Sequence, residues 1–79
     1  MYFNTEKFQS RLRVLISEKG ITQEKLAKDL GFSKASVTGW LKHDVIPYRF
    51  SLECLADYFK VSVEYLTGKE GKDVDGEFV

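Results

Sequence analysis

At 79 residues the chain is long enough for one domain, and an apolar fraction of 43% argues against disorder. No apolar run approaches the roughly 20 residues of a membrane span, no leader is visible at the N-terminus, and the single cysteine, Cys54, excludes an internal disulfide or a CxxC zinc site. We therefore expect a cytoplasmic protein without a metal or cofactor. The net charge is zero, but residues 1–50 carry nine Lys and Arg against five Asp and Glu, while residues 51–79 carry three against seven. This asymmetry favours one face suited to phosphate.

The first predicted helix carries a single apolar stripe. Asn4 or Thr5 can cap it, and it runs to about Glu18. Arg11 and Arg13 lie off or at the margin of the stripe, so we expect them to solvate the outer face. The apolar residues recur at i, i+4, i+7 and i+8 and are Phe8, Leu12, Leu15 and Ile16.

Residues 23–42 predict two short helices joined at a sharp corner. Thr22 can cap the first of them, which runs to about Leu30, and Gly31 stands where a helix turns left-handed and stops. Ser33 can then cap the second helix. Its inward positions at i, i+3 and i+4 are Val37, Trp40 and Leu41. The residues left on the outer side are Lys34, Ala35, Thr38 and Gly39.

Two further helices are predicted after a connecting loop over residues 42–50. Pro47 biases the residue before it away from helical geometry, and Ser51 restarts the helical periodicity. The next apolar stripe is formed by Leu52, Leu55, Ala56 and Phe59. Ser62 can cap a short fifth helix that ends at Gly68 and turns Val63 and Leu66 inward. The sequence therefore predicts an all-α, five-helix domain over residues 1–68, with residues 69–79 as a polar tail or the start of a linker.

The outer side of the third predicted helix carries small, polar and basic residues, which suit the major groove of DNA. Lys34 could donate to guanine O6 and N7, Thr38 could bond a base or touch a thymine methyl, and Ala35 could make apolar contact. Gly39 either permits a close approach to DNA or is tolerated at an exposed site. Candidate phosphate ligands lie at helix N-termini and in the following loop, namely Gln23, Ser33, Ser36, Lys42, His43, Tyr48 and Arg49.

Three parts of the chain carry a family pattern: EKGITQEKLAKDLGFSKASV at residues 18–37, Trp40 with Pro47, and SLECLADYFKVSVEYLTG at residues 51–68. Together they make residues 8–68 resemble the helix-turn-helix domain of phage lambda-type repressors and of the xenobiotic-response-element (XRE) family of bacterial regulators. The resemblance implies a compact lambda repressor-like fold in which the third helix reads an operator on double-stranded DNA. It also implies a homodimer on DNA. From the residues themselves we expect no membrane association, and no small-molecule ligand is evident.

Two departures from the usual pattern of that family lead to expectations of their own. Members often carry Arg where Ile16 stands and Glu where Leu41 stands, so we expect an apolar contact here in place of an ion pair. Relatives commonly have a polar, base-reading residue where this chain has Gly39.

The leading hypothesis is a sequence-specific DNA-binding transcriptional regulator, a repressor of phage or bacterial origin. The alternative is a protein-interaction module or antirepressor that keeps the fold without binding DNA. An enzyme is not expected, because the single His43 and Cys54 have no complementary acid, base or metal ligands in view. Tyr65, Leu66 and the tail are candidates for the dimer surface.

Overall fold

The computed structural model describes residues 2–69, which form five α-helices and no strand. The predicted all-α, five-helix fold is confirmed. None of the helices in these residues is long and apolar enough to cross a membrane. The helices are α1 Thr5–Lys19, α2 Gln23–Leu30, α3 Lys34–Lys42, α4 Arg49–Phe59 and α5 Val63–Thr67.

Polar side chains cap the N-termini of α1, α2, α3 and α5. In each case the oxygen of the capping residue accepts a hydrogen bond from the backbone N–H three residues later, which satisfies one of the donors that a helix leaves open. The caps at Thr22, Ser33 and Ser62 confirm the predictions, and Asn4 rather than Thr5 caps α1. These local signals explain why the sequence marks four of the five starts correctly.

The start of α4 differs from the prediction. The helix begins at Arg49, with Tyr48 as its N-cap, whereas the sequence pattern placed its first residue at Ser51. Tyr48 makes no side-chain capping hydrogen bond, so the usual polar signal is absent. Ser51 instead lies buried in the first turn. Pro47 restricts its own φ and the residue before it but not the residues after it, so the helix can begin at Arg49.

Apolar side chains from all five helices form one core. Ile16 and Leu41 are both buried in it, as the expected contact between them requires. The helical stripes read from the sequence supply the core, because each helix turns its apolar face toward the others. The largest fully buried side chains are Phe8, Leu12, Leu26, Val37, Leu41, Leu52, Leu55 and Leu66.

The end of α5 closes against the start of α1. The Asn4 N–H donates to the Thr67 carbonyl over 2.8 Å. Arg11 donates to the Tyr65 carbonyl, and its guanidinium lies 4.5 Å from the centre of the Tyr65 ring. Arg11 therefore joins α1 to α5, and the expectation that it only solvates the outer face is wrong.

Leu66 is fully buried in the core, so the prediction that it lies on a dimer surface is wrong. Leu66 packs inward from α5, as predicted from the apolar face of the fifth helix. The predicted tail, apart from Lys69, lies outside the described residues.

Candidate nucleic-acid interface

The corner between α2 and α3 is held by backbone geometry and by two aromatic rings. Gly31 ends α2 with φ of 76°, a left-handed conformation that L side chains rarely adopt. The N–H of Phe32 then donates to the Ala27 carbonyl over 2.9 Å. The Phe32 ring meets Trp40 edge to face, with 5.3 Å between ring centres. Because Trp40 lies on the inner side of α3, this contact fixes the angle at which α3 leaves the corner.

The N-terminus of α3 is exposed and has its own capping pair. The Ser33 Oγ accepts from the Ser36 N–H over 3.1 Å, and the two hydroxyl oxygens lie 2.9 Å apart. The first N–H groups of an α-helix have no partner inside the helix, and the positive end of the helix dipole lies at the same place. A phosphate oxygen can therefore be bound here without any rearrangement of the cap.

The outer side of α3 begins with two exposed residues, Lys34 and Ala35, and continues with Thr38, which is half-buried. The Lys34 Nζ lies 3.7 Å from Glu24 Oε2 on the first turn of α2. Both side chains are largely exposed, so this ion pair contributes little to stability and leaves Lys34 able to exchange its partner.

Gly39 does not lie on the exposed side of α3 as predicted, because it is buried. A Cβ built on Gly39 would lie 3.2 Å from Val45 Cγ2. The Gly39 carbonyl accepts from both the His43 N–H, over 3.0 Å, and the Val45 N–H, over 3.1 Å. The chain therefore folds back over Gly39 directly after α3 ends. The sequence pattern could not show this, because it carries no information on where the loop goes.

Side chains of α1 hold the C-terminal end of α3. The Gln9 Nε2 donates to the Trp40 carbonyl over 3.0 Å, and Arg13 donates to the Leu41 carbonyl. The last carbonyls of a helix lack partners inside it, so these bonds satisfy groups that would otherwise be open. The expectation that Arg13 only solvates the surface is wrong. Sequence reasoning missed both roles because the partners are about 30 residues apart.

The N-terminus of α4 presents a second set of predicted phosphate ligands. Tyr48 is 84% exposed, and Arg49 Nε donates to Glu53 Oε2 over 3.1 Å. Lys42 and His43 are exposed at the C-terminal end of α3. These four residues therefore lie at the two ends of the loop that follows α3.

A groove of about 440 Å³ connects the face of α3 to this loop. Four of the predicted site residues line it, namely Ala35, Ser36, Gly39 and Tyr48. Gln23 is the half-buried first residue of α2. Val45 and Ile46 also line the groove, although no pattern in the sequence pointed to them. The structure thus adds two apolar loop residues, Val45 and Ile46, to the predicted surface.

A contact between α2 and α4 supports the corner from the other side. The Tyr58 hydroxyl donates to Asp29 Oδ2 over 2.7 Å. This hydrogen bond, together with Lys25, holds the pKa of Asp29 below its usual value of 3.8, and the same bond raises the pKa of Tyr58 above 10.0. The bond therefore persists at neutral pH, with Asp29 ionised and Tyr58 protonated.

Comparisons with known proteins agree with this geometry. Residues 11–67 match the family described as the Cro/C1-type HTH DNA-binding domain. The chain is 34% identical over 65 residues to the HTH-type transcriptional activator BcrR of Enterococcus faecalis, covering 81% of this chain and 32% of that protein. It spans about a third of that relative's length.

A solved structure shows the same arrangement of helices. The solution structure of the SOS-response transcriptional repressor LexA from Eubacterium rectale matches with a TM-score of 0.81 and 28% identity, over 100% of this chain and 84% of that one. The family match covers well over half of the chain and includes α2, α3 and the corner between them. The chain therefore belongs to the family of Cro/C1-type helix-turn-helix DNA-binding domains.

Proposed function

We propose that the protein is a sequence-specific transcriptional regulator whose α3 reads an operator in the major groove of DNA. The observation that carries the proposal is the exposed first turn of α3, where Lys34 and Ala35 lie on the surface next to a corner that Phe32 and Trp40 hold. N-terminal residues of such a helix reach base edges when the helix enters the groove. Lys34 supplies a hydrogen-bond donor for guanine, and Ala35 and Thr38 supply small contacts.

Phosphate contacts set the register of α3 in this proposal. The exposed N-terminus of α3, with Ser33 and Ser36, faces one strand, and Tyr48 and Arg49 at the start of α4 contact the backbone beyond the loop. Lys42, His43 and Gln23 complete the set. Each of these groups is a donor or a cation, which is the chemistry that a phosphate oxygen requires.

Selection of bound sequences from a random duplex library tests the proposal. We expect a defined motif and an affinity that falls steeply with salt, because cations that neutralise phosphates release counterions. On the selected motif, Lys34→Ala should cost about 1 to 3 kcal/mol and relax the preference for guanine at one position. Lys60→Ala removes the same charge from an exposed residue at the end of α4, beside Glu18 and Lys19 of α1, and is the matched control. An interaction module would instead show no enriched motif and no salt-dependent binding to duplex DNA.

We propose repression of phage or bacterial genes as the direction of regulation, because occupancy of an operator by this surface excludes other proteins from the same groove. The E. faecalis relative is named as an activator and the E. rectale protein as a repressor, so both outcomes have a precedent among similar proteins. Transcription in vitro from a promoter that contains the selected motif decides between them. A fall in transcript on addition of the protein supports repression, and a rise contradicts it.

A homodimer on a palindromic operator completes the proposal, with two α3 helices about 34 to 36 Å apart. Phe50 is 69% exposed on the first turn of α4 and supplies apolar area for pairing. Phe50→Ser should shift sedimentation of the protein–operator complex from two copies to one. Retention of two copies would exclude Phe50 from the pairing surface.

A further inference from the structure

Val45 occupies the place on α3 where a side chain at position 39 would project. Gly39 lies one turn after Ala35, so the two positions share a face of the helix. The Val45 Cγ2 lies 3.2 Å from where the Cβ of residue 39 would be, and the Val45 N–H is bonded to the Gly39 carbonyl over 3.1 Å. The isopropyl group of Val45 thus covers α3 one turn beyond Ala35. A loop residue has replaced a helix residue at this point of the surface.

The position of Val45 is fixed by contacts at both sides. Asp44 has φ of 57°, which turns the chain sharply after α3, and its Oδ1 accepts from Gln9 Nε2 over 3.1 Å. The same Gln9 nitrogen donates to the Trp40 carbonyl. Because Gln9 belongs to α1, the turn is tied to the core of the domain. The side chain of Val45 is therefore held in a defined position instead of moving with a free loop.

Val45 and its neighbour Ile46 are 50% and 57% exposed. Both line the same groove as Ala35 and Gly39, so their exposed atoms form one apolar surface with Ala35 on the side of α3. None of these side chains has a hydrogen-bond donor or acceptor, so they cannot bind phosphate or pair with the polar edges of bases. The apolar group that the major groove offers is the C5-methyl of thymine.

We propose that Val45 and Ile46, together with Ala35, form a specificity-determining surface that recognises thymine C5-methyl groups. The proposal rests on the DNA-binding function given above and assigns part of its sequence preference to the loop after α3. It also explains how the chain can read DNA with a glycine at position 39. Lys34 then selects for guanine through hydrogen bonds, and the Val45 surface selects for thymine through apolar contact.

Replacement of each thymine of the selected operator by uracil removes only the methyl group and leaves the protein unchanged. We expect the affinity of the unaltered protein to fall about fourfold for each methyl that the surface contacts. In the Val45→Ala variant, uracil replacement should have little effect at the one operator position whose methyl group Val45 contacts. Val14→Ala is the matched control, because Val14 is 48% exposed on α1 and does not line the groove that Ala35, Val45 and Ile46 line. Val14→Ala should keep the full uracil effect.

Gly39→Ala is a second variant that acts on Val45 from beneath. Its new Cβ must push the Val45 side chain away by a few tenths of an ångström. The loss of affinity on uracil replacement, at the operator position that Val45 contacts, should therefore become smaller while the variant still binds DNA. The proposal is overturned if uracil replacement changes nothing for the unaltered protein, or if the effect is the same in Val45→Ala. If a motif is selected but uracil replacement does not change the affinity, the proposed DNA-binding function is kept and only the role of Val45 and Ile46 is contradicted. If no motif is selected, the proposed function itself is contradicted.

Discussion

Replacement of Gly68 by alanine should destabilise the domain by more than its backbone conformation alone explains. Gly68 has φ of 86°, and a Cβ there would lie 2.9 Å from the Lys7 Cβ and 3.1 Å from the Asn4 Cβ. An L residue in this region costs about 1 to 2 kcal/mol. The overlap involves the Cβ atoms of Lys7 in α1 and of its N-cap Asn4, which cannot rotate away, so the overpacking adds about 1 to 3 kcal/mol.

Gly31→Ala separates the two contributions. Gly31 has a similar φ of 76°, but nothing lies within 4 Å of its added Cβ. Gly31→Ala should therefore show only the backbone cost, and Gly68→Ala about 1 to 3 kcal/mol more. A chain of this length has a free energy of unfolding of about 4 to 10 kcal/mol, so Gly68→Ala removes a large part of it.

Urea denaturation monitored by circular dichroism and by the fluorescence of Trp40 measures both variants. Trp40 is the single tryptophan of the chain and is buried, so its emission reports loss of the core. We expect the midpoint to fall further for Gly68→Ala than for Gly31→Ala, with an unchanged slope. Equal losses of unfolding free energy in the two variants would show that the end of α5 can move away from α1 at no energetic cost. That result would refute the predicted overlap with Lys7 and Asn4.

Three further changes test other contacts. Arg13→Met keeps most of the apolar stem of the side chain but removes the bond to the Leu41 carbonyl, and should lower the free energy of unfolding by about 1 kcal/mol in urea denaturation. Tyr58→Phe should weaken the acid dependence of stability. The pKa of Asp29 is lower in the folded protein than in the unfolded chain, so ionised Asp29 stabilises the fold above its unfolded pKa, and this stabilisation is lost as the pH falls through its folded pKa. The difference between the free energies of unfolding at pH 7 and pH 3 should therefore be smaller in Tyr58→Phe. Arg49→Ala should weaken binding to all DNA sequences alike and reduce the salt slope by about one, whereas a sequence-dependent loss would contradict a phosphate role.

Local signals in the sequence were enough to predict the bounds of α2 and α3. A polar cap precedes each helix, a glycine follows α2, and the apolar residues recur at helical spacing, so every signal lies within a few residues of the boundary it marks. The start of α4 lacked such a signal, because Tyr48 caps it without a side-chain hydrogen bond.

The surface of the candidate site was harder to predict than the fold. Whether Gly39 is exposed depends on where Val45 goes, and the direction of a loop is set by contacts such as that of Gln9 with Asp44, which joins distant parts of the chain. Arg13 looked like a surface residue because its partner is a backbone carbonyl, which has no signature in the sequence. Lys34 and Ala35 were placed correctly because helical periodicity alone decides their side of α3.

The hydrogen bond between Asn4 and Thr67 has a consequence for the way the domain can be rewired. Because the start of α1 lies next to the end of α5, a short Gly-Ser linker could join residue 69 to residue 3. New termini could be opened at Ile46, in an exposed loop. Such a circular permutant would keep all five helices while cutting the covalent path between α3 and α4. The corner of α2 and α3 would then stay in one continuous segment with α1, which supplies the contacts that hold its far end.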